Sequence, residues 1–215
     1  MVSYIRPMIP IGHSFDMDLL TTLISMLLFV GISMLIGATL VKVIRAKGEV
    51  ANMPLTVTIT AIVSLFLFAR YGLSVTAIQG VFLMFVLMYA TWSDLTSHTV
   101  DDYVPLLVFA LGVASMATVG LSSMLFGAFA VFVPQIVMAL IPKCKPLGGA
   151  DLKLSTALAF LLGWERGIIG FVAGLLIAVI YMAIYNRVKK TEAKEEKAFA
   201  LVPFLSIAAM VLFMF

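Results

Sequence analysis

YVPLLVFALGVASMATVGLSSMLFGAFAVFVPQIVMALIP, the stretch from Tyr103 to Pro142, runs for 40 residues without a charge. A helix that crosses a hydrocarbon core needs about 20 mostly apolar residues, so this stretch has the length of two crossings. Val119-Gly120 and Ser122-Ser123 lie near its midpoint and supply the turn chemistry for a tight join. Two antiparallel membrane helices are therefore expected here, and the rest of the chain follows the same pattern.

Other uncharged runs extend from Leu19 to Val41, Ala51 to Ala69, Tyr71 to Ser93, Leu154 to Trp164, Gly167 to Asn186 and Ala198 to Phe215. Together with the pair above they make eight spans. Of 215 residues, 63% are hydrophobic and 12% charged, with a mean hydropathy of +1.15, which excludes an ordinary soluble domain. The fold class expected is all-α: a polytopic membrane protein of about eight transmembrane helices with short loops, one integral membrane domain over residues 1–215. The net charge is only +3 and the basic residues sit in loops beside apolar runs, which points to membrane topology and not to nucleic acid.

Eight alternating spans assign each loop to a side. One side receives Lys42, Arg45, Lys47, Lys143, Lys145, Lys153, Arg187, Lys189, Lys190, Lys194 and Lys197, and the other only Arg6, Arg70 and Arg166. By the positive-inside rule the first side is cytoplasmic, which puts both termini outside. Asp94, Asp101, Asp102 and Asp151 then fall on or near the cytoplasmic face. Met1 to Ser14 lacks the pattern of a cleaved signal peptide, so no removable segment is expected. Cys144 is the single cysteine, which excludes an internal disulfide or a cysteine-based zinc site within one chain.

The sixth span is short, covering only about 16 Å at 1.5 Å per residue. A helix beginning near Ala150 extends it and brings Asp151 and Lys153 into its first turn, where a carboxylate is favoured by the helix dipole. Two segments thus carry an aspartate at the junction of an apolar helix and a cytoplasmic loop: Thr91 to Tyr103, with Asp94, His98, Asp101 and Asp102, and Pro146 to Leu154, with Gly148-Gly149-Ala150-Asp151. Two carboxylates are the minimum for aspartyl hydrolysis. Held close together they retain one proton between them, so one member activates water and the other protonates the leaving group. The small residues at 148–150 leave room for an extended substrate.

These residues resemble the membrane-embedded aspartyl peptidases that process type IV prepilins and archaeal preflagellins. Gly148-Gly149-Ala150-Asp151-Leu152-Lys153-Leu154 is similar to the GxGD segment of that family. Asp94 followed by Val100-Asp101-Asp102 is similar to its first aspartate, and Val202-Pro203-Phe204-Leu205 to its C-terminal Pro-Phe-Leu segment. The resemblance covers about residues 80–215, with residues 1–79 forming two extra N-terminal spans. It implies that Asp94 and Asp151 are the catalytic pair. Gly148, Gly149, Ala150, Lys153, Asp101 and Asp102 support the motif or bind substrate, and no metal or cofactor is implied. The implied partners are pilin-like or flagellin-like precursors, whose basic leader is cut off at the cytoplasmic face of a prokaryotic cell membrane. Ala150 departs from the second glycine of GxGD, which restricts φ and narrows the approach. Asp101 stands where bacterial members usually carry proline, as in the preflagellin branch. The loop from Lys42 to Glu49 holds no cysteine, unlike the cysteine-paired domain of larger members that also methylate the product, so a peptidase without methyltransferase activity is expected.

Simpler readings stand beside these. Asp94 and Asp151 are otherwise solvated helix-end residues, Asp101 and Asp102 helix caps, and Lys153 a snorkelling lysine. His98, four residues after Asp94, is too little for a metal cage. Gly31, Gly37, Gly163, Gly170 and Gly174 are expected to allow close helix contacts, and the GxxxG match at Gly170 to Gly174 does not establish dimerisation. The rival functions are a proton- or cation-coupled small transporter, which predicts acids at mid-membrane, and a non-catalytic scaffold subunit of a pilus or secretion assembly. Oligomeric state is left open.

Overall fold

The computed structural model describes residues 17–48, 50–140, 148–188 and 200–215. Arg6, Glu49, Lys143, Cys144, Lys145 and the basic run at 189–197 lie outside the described residues. Within them the chain forms α1 (Met17–Ala46), α2 (Met53–Tyr71), α3 (Val75–Ser97), α4 (Tyr103–Ala114), α5 (Met116–Val119), α6 (Leu121–Leu140), α7 (Gly149–Leu162), α8 (Trp164–Val188) and α9 (Val202–Met214). No strand occurs among the described residues. Five helices, α1, α2, α3, α6 and α8, are long and apolar enough to cross a membrane, and α4 and α9 are shorter apolar helices. The protein is an all-helical, multi-pass membrane protein.

The long run from Tyr103 to Pro142 divides where Gly120 takes a left-handed φ of 86°, as its turn chemistry predicts. A second break, not foreseen, separates α4 from α5 at Ser115. There the Ser115 N–H is shared between the carbonyls of Leu111 and Gly112 and its hydroxyl also donates to Leu111 O, which tightens the turn and interrupts the regular ladder.

Internal contacts group the chain into two compact units, with the boundary between Phe85 and Val86. In the first unit α1 and α2 pair closely. Thr56, Thr60 and Ser64 are buried along one face of α2, and each hydroxyl donates to the carbonyl one turn earlier, at 2.9, 2.8 and 2.6 Å. With their polar groups satisfied internally, these small side chains let α1 approach, and a Cβ at Gly37 would come within 2.8 Å of Thr60 Oγ1. Gly31, expected to serve the same purpose, faces open space.

The second unit is organised around α7, against which α4, α6 and α8 pack. Its 14 residues span about 21 Å, short of a full hydrocarbon core. Leu154, Ser155 and Ala157 to Leu162 are all buried, so its surroundings are protein. The close approach rests on glycines that the sequence pattern did not single out. A Cβ at Gly127 of α6 would meet the backbone of Gly163 at 2.7 Å, and one at Gly167 of α8 would meet Ala159 O at 2.8 Å. Gly163 is a contact residue as expected, a Cβ there lying 2.8 Å from Ser123 Oγ, and it also ends α7 with a φ of 81°. The Gly170 and Gly174 face is taken up inside the chain, where a Cβ would lie 3.1 Å from Leu212 and 2.9 Å from Leu205 of α9.

Gly127→Val is therefore expected to destabilise the fold by at least about 1–3 kcal/mol, because the atoms it meets are backbone and cannot yield. Gly31→Ala, with free space, should stay within about 0.5 kcal/mol of wild type. Thermal melts of both variants in detergent check the contrast; equal melting shifts would contradict the packing described.

Candidate active site

α3 continues past Asp94 to Ser97, so the aspartate lies in the last helical turn and not in the following loop. It is buried, with 6% of its surface exposed. The chain reverses directly after the helix: His98 adopts a left-handed φ of 51°, and the Ser93 hydroxyl donates to Thr99 O at 3.0 Å. These bonds hold the start of the loop against the end of α3.

The first residues of a helix leave backbone N–H groups without an intrahelical partner, and these carry the positive end of the dipole. At the start of α9, Pro203 has no N–H to offer, while the Val202 N–H donates to Asp94 Oδ2 at 3.0 Å, across 108 residues of sequence. Asp94 is thus held by a buried amide from another helix, unlike a solvated helix-end carboxylate.

Asp151 occupies the first turn of α7, as expected from the small residues before it. Gly148 is the N-cap, and its backbone bonds back to the Asp151 carboxylate, the arrangement by which a residue in the third helical position satisfies an orphan amide. A Cβ at Gly148 would stand 3.1 Å from Asp151 Oδ2, which gives the first glycine of the motif its physical reason. Gly149 meets nothing within 4 Å. Ala150 is in helical conformation, so the restriction on φ expected from its replacing glycine has no effect here: alanine is at home in a first turn.

The Gly148 bond and the nearby negative charge of Asp94 both act on the Asp151 carboxylate. The end of α3 and the start of α7 thus bring the two carboxylates into one electrostatic neighbourhood.

The other acids have partners of their own. The Tyr89 hydroxyl donates to Asp101 Oδ2 at 2.7 Å. Asp102 is the N-cap of α4 but makes no side-chain cap bond; its Oδ1 accepts from Lys153 Nζ at 2.6 Å. Lys153, expected to support the motif or bind substrate, is joined to the α3–α4 loop. Both side chains of that pair are well exposed, so the ion pair contributes less than about 1 kcal/mol. Lys153→Ala and Asp102→Ala are expected to lower the reaction rate by similar factors, each under about tenfold, with the double variant no worse than either. Rate measurements on the three variants check this, and a much larger loss in Lys153→Ala alone would return the lysine to the chemistry.

Below Asp151 on the same face of α7, Ser155 meets Gln135 of α6. Both are buried, with Gln135 Nε2 2.9 Å from Ser155 Oγ and 3.0 Å from Val131 O. This pair fixes α7 against α6 one turn beneath the aspartate. Neither it nor the Val202 amide was singled out from sequence. A lone Gln in an apolar run was the available signal for the first; a backbone donor leaves none. Among the described residues no group of three or more His, Cys, Asp or Glu side chains gathers as a metal site.

A buried aspartate fixed by a backbone amide thus lies near a second carboxylate at the start of α7. Residues 81–183, which contain both, match the model of the type IV leader peptidase family. No curated protein and no solved structure matches the chain.

Proposed function

We propose that the protein is an aspartic endopeptidase that removes the basic leader from pilin-like or flagellin-like precursors, with Asp94 and Asp151 as the catalytic pair. The observation that carries this reading is the coupling of the two carboxylates within the family-matched region. One carboxylate takes a proton from water as the water oxygen attacks the scissile carbonyl carbon, and the other gives its proton to the carbonyl oxygen. Collapse of the resulting diol breaks the C–N bond, returns one proton to the pair and sends one to the leaving amine. Net, one water is consumed and one acid and one amine are formed.

Eight crossings fit this function: α1, α2, α3, α4 with α5, α6, α7, α8 and α9. That count puts the end of α3 and the start of α7 at the cytoplasmic face of a prokaryotic cell membrane, where the leader of a membrane-held precursor lies. The basic residues of the leader meet Asp101 and Asp102 there. With no cysteine-paired domain in the Lys42 to Glu49 loop, the product amine stays unmethylated.

Co-expression with a pilin-like precursor tests the reading. A shortened precursor whose new N-terminus carries no added methyl mass is expected. Single cysteines at Thr96 and Ser122 in a Cys144→Ser background test the orientation: only the first should be shielded from an impermeant thiol reagent in intact cells. A full-length precursor in cells that express well-folded protein would overturn the assignment.

A further inference from the structure

Beneath Asp151, α6 and α7 are joined by two polar side chains that the proposed mechanism does not use. Gln135 and Ser155 are only 4% and 2% exposed. Each Nε2 hydrogen of Gln135 has an acceptor: Val131 O of its own helix at 3.0 Å and Ser155 Oγ of α7 at 2.9 Å. The first bond fixes the plane of the amide before the second reaches across, and it lies beside Pro134, whose missing N–H takes one bond out of the α6 ladder. Ser155 Oγ stands 3.2 Å from both Gln135 Oε1 and Leu152 O, and its single proton goes to one or the other. Leu152 follows Asp151 in the chain, and its N–H bonds to Gly148 O. A continuous run of hydrogen-bonded atoms thus leads from the backbone of α6 to the turn that carries Asp151.

Stability alone gives this pair little reason to exist. Replacing both partners of a buried hydrogen bond by apolar groups of the same shape is close to neutral, and the neighbouring buried surface of α7, Leu154 and Ala157 to Leu162, is apolar already. Apolar contact is non-directional, however, and holds a helix equally well over small rotations. The contacts that fix α7 sharply lie toward its far end, where Gly167 closes on Ala159 and Gly127 on Gly163. Ala159 is eight residues from Asp151, about 12 Å along the helix, so these contacts act on the first turn only through its length. The Lys153–Asp102 pair grips that turn from outside, but it is exposed and weak. Gln135 and Ser155 supply a direction, one turn from Asp151 and on its face of the helix.

We infer that the Gln135–Ser155 pair is a positioning device: it sets the rotation and height of the start of α7, and so where the Asp151 carboxylate stands relative to Asp94. The catalytic consequence rests on the proposed peptidase reading; the positional one does not. Neither side chain touches the reacting atoms. A reacting group displaced by about 1 Å loses up to about 10²-fold in rate. Loss of the pair is therefore felt in the turnover of bound substrate, and neither in its binding nor in the melting of the protein.

The test is the double variant Gln135→Met with Ser155→Ala, which removes the pair and leaves neither side chain with an orphaned polar atom. It should melt within about 3 °C of wild type or above it. With a pilin-like precursor its kcat should fall about 10- to 100-fold while KM stays within about twofold. Leu158→Met, an apolar exchange at a buried position of the same helix that keeps the pair, should leave both constants near wild type. Position is read separately from spin labels on Gly149→Cys in the first turn of α7 and Phe129→Cys in α6, both exposed positions, in a Cys144→Ser background. The distance between the labels should shift, or its distribution broaden, by about 1 Å or more when the pair is removed. A double variant that melts far below wild type makes the pair a stability element, and one that keeps the wild-type kcat or the wild-type distance makes it dispensable for position; each overturns the inference. A wild type that cleaves no precursor overturns the peptidase reading instead, and the melting and distance measurements still decide the positional claim.

Discussion

Asp94→Asn and Asp151→Asn are each expected to lower the rate of leader cleavage at least about 10³-fold, since each removes one arm of the acid–base pair. The double variant should be scarcely slower than the worse single one, because residues that act as a unit do not contribute additively. Asn keeps the shape of the side chain and an oxygen that accepts from Val202 or from Gly148, so the helices that meet at the site keep their bonds. Single-turnover rates in detergent, beside melting curves for the same samples, separate chemistry from folding. A variant that melts like wild type and still cleaves within tenfold of its rate would remove that aspartate from the mechanism.

A second large effect follows from the pairing of the two carboxylates. The pair is productive only while it holds one proton, so the rate should pass through a maximum with pH and fall about tenfold per pH unit on either side of it. Single-turnover rates across the pH range measure it; a rate that does not change with pH would contradict acid–base chemistry by the pair.

Much of this architecture is written in the amino-acid order. Charges are so costly inside a hydrocarbon core that their positions mark helix ends, and helices lie over each uncharged run among the described residues. Small residues before Asp151 announced the start of α7, because glycine both caps a helix and clears space beside a carboxylate. Other features depend on atoms that the order of side chains does not encode. The interruption at Ser115 arises from a shared backbone bond, and the tie between α9 and Asp94 is made by an amide that every residue but proline has. Lys153 was read beside its sequence neighbour Asp151, yet the path of the α3–α4 loop offers it Asp102. The close-contact glycines differ for a similar reason: Gly31 and Gly127 look alike in an apolar run, and only the packing of α6 on α7 distinguishes them.

Product analysis of one cleavage reaction tests the central claim most directly. Purified protein is incubated with a pilin-like precursor, in parallel with Asp94→Asn and Asp151→Asn, and the ends of the products are read by mass spectrometry. A single cut between the basic leader and the apolar stretch, present with wild type and absent with both variants, is the expected result. The same cut made equally by either variant, or cuts scattered through the apolar stretch, would contradict an aspartate pair working at the membrane boundary.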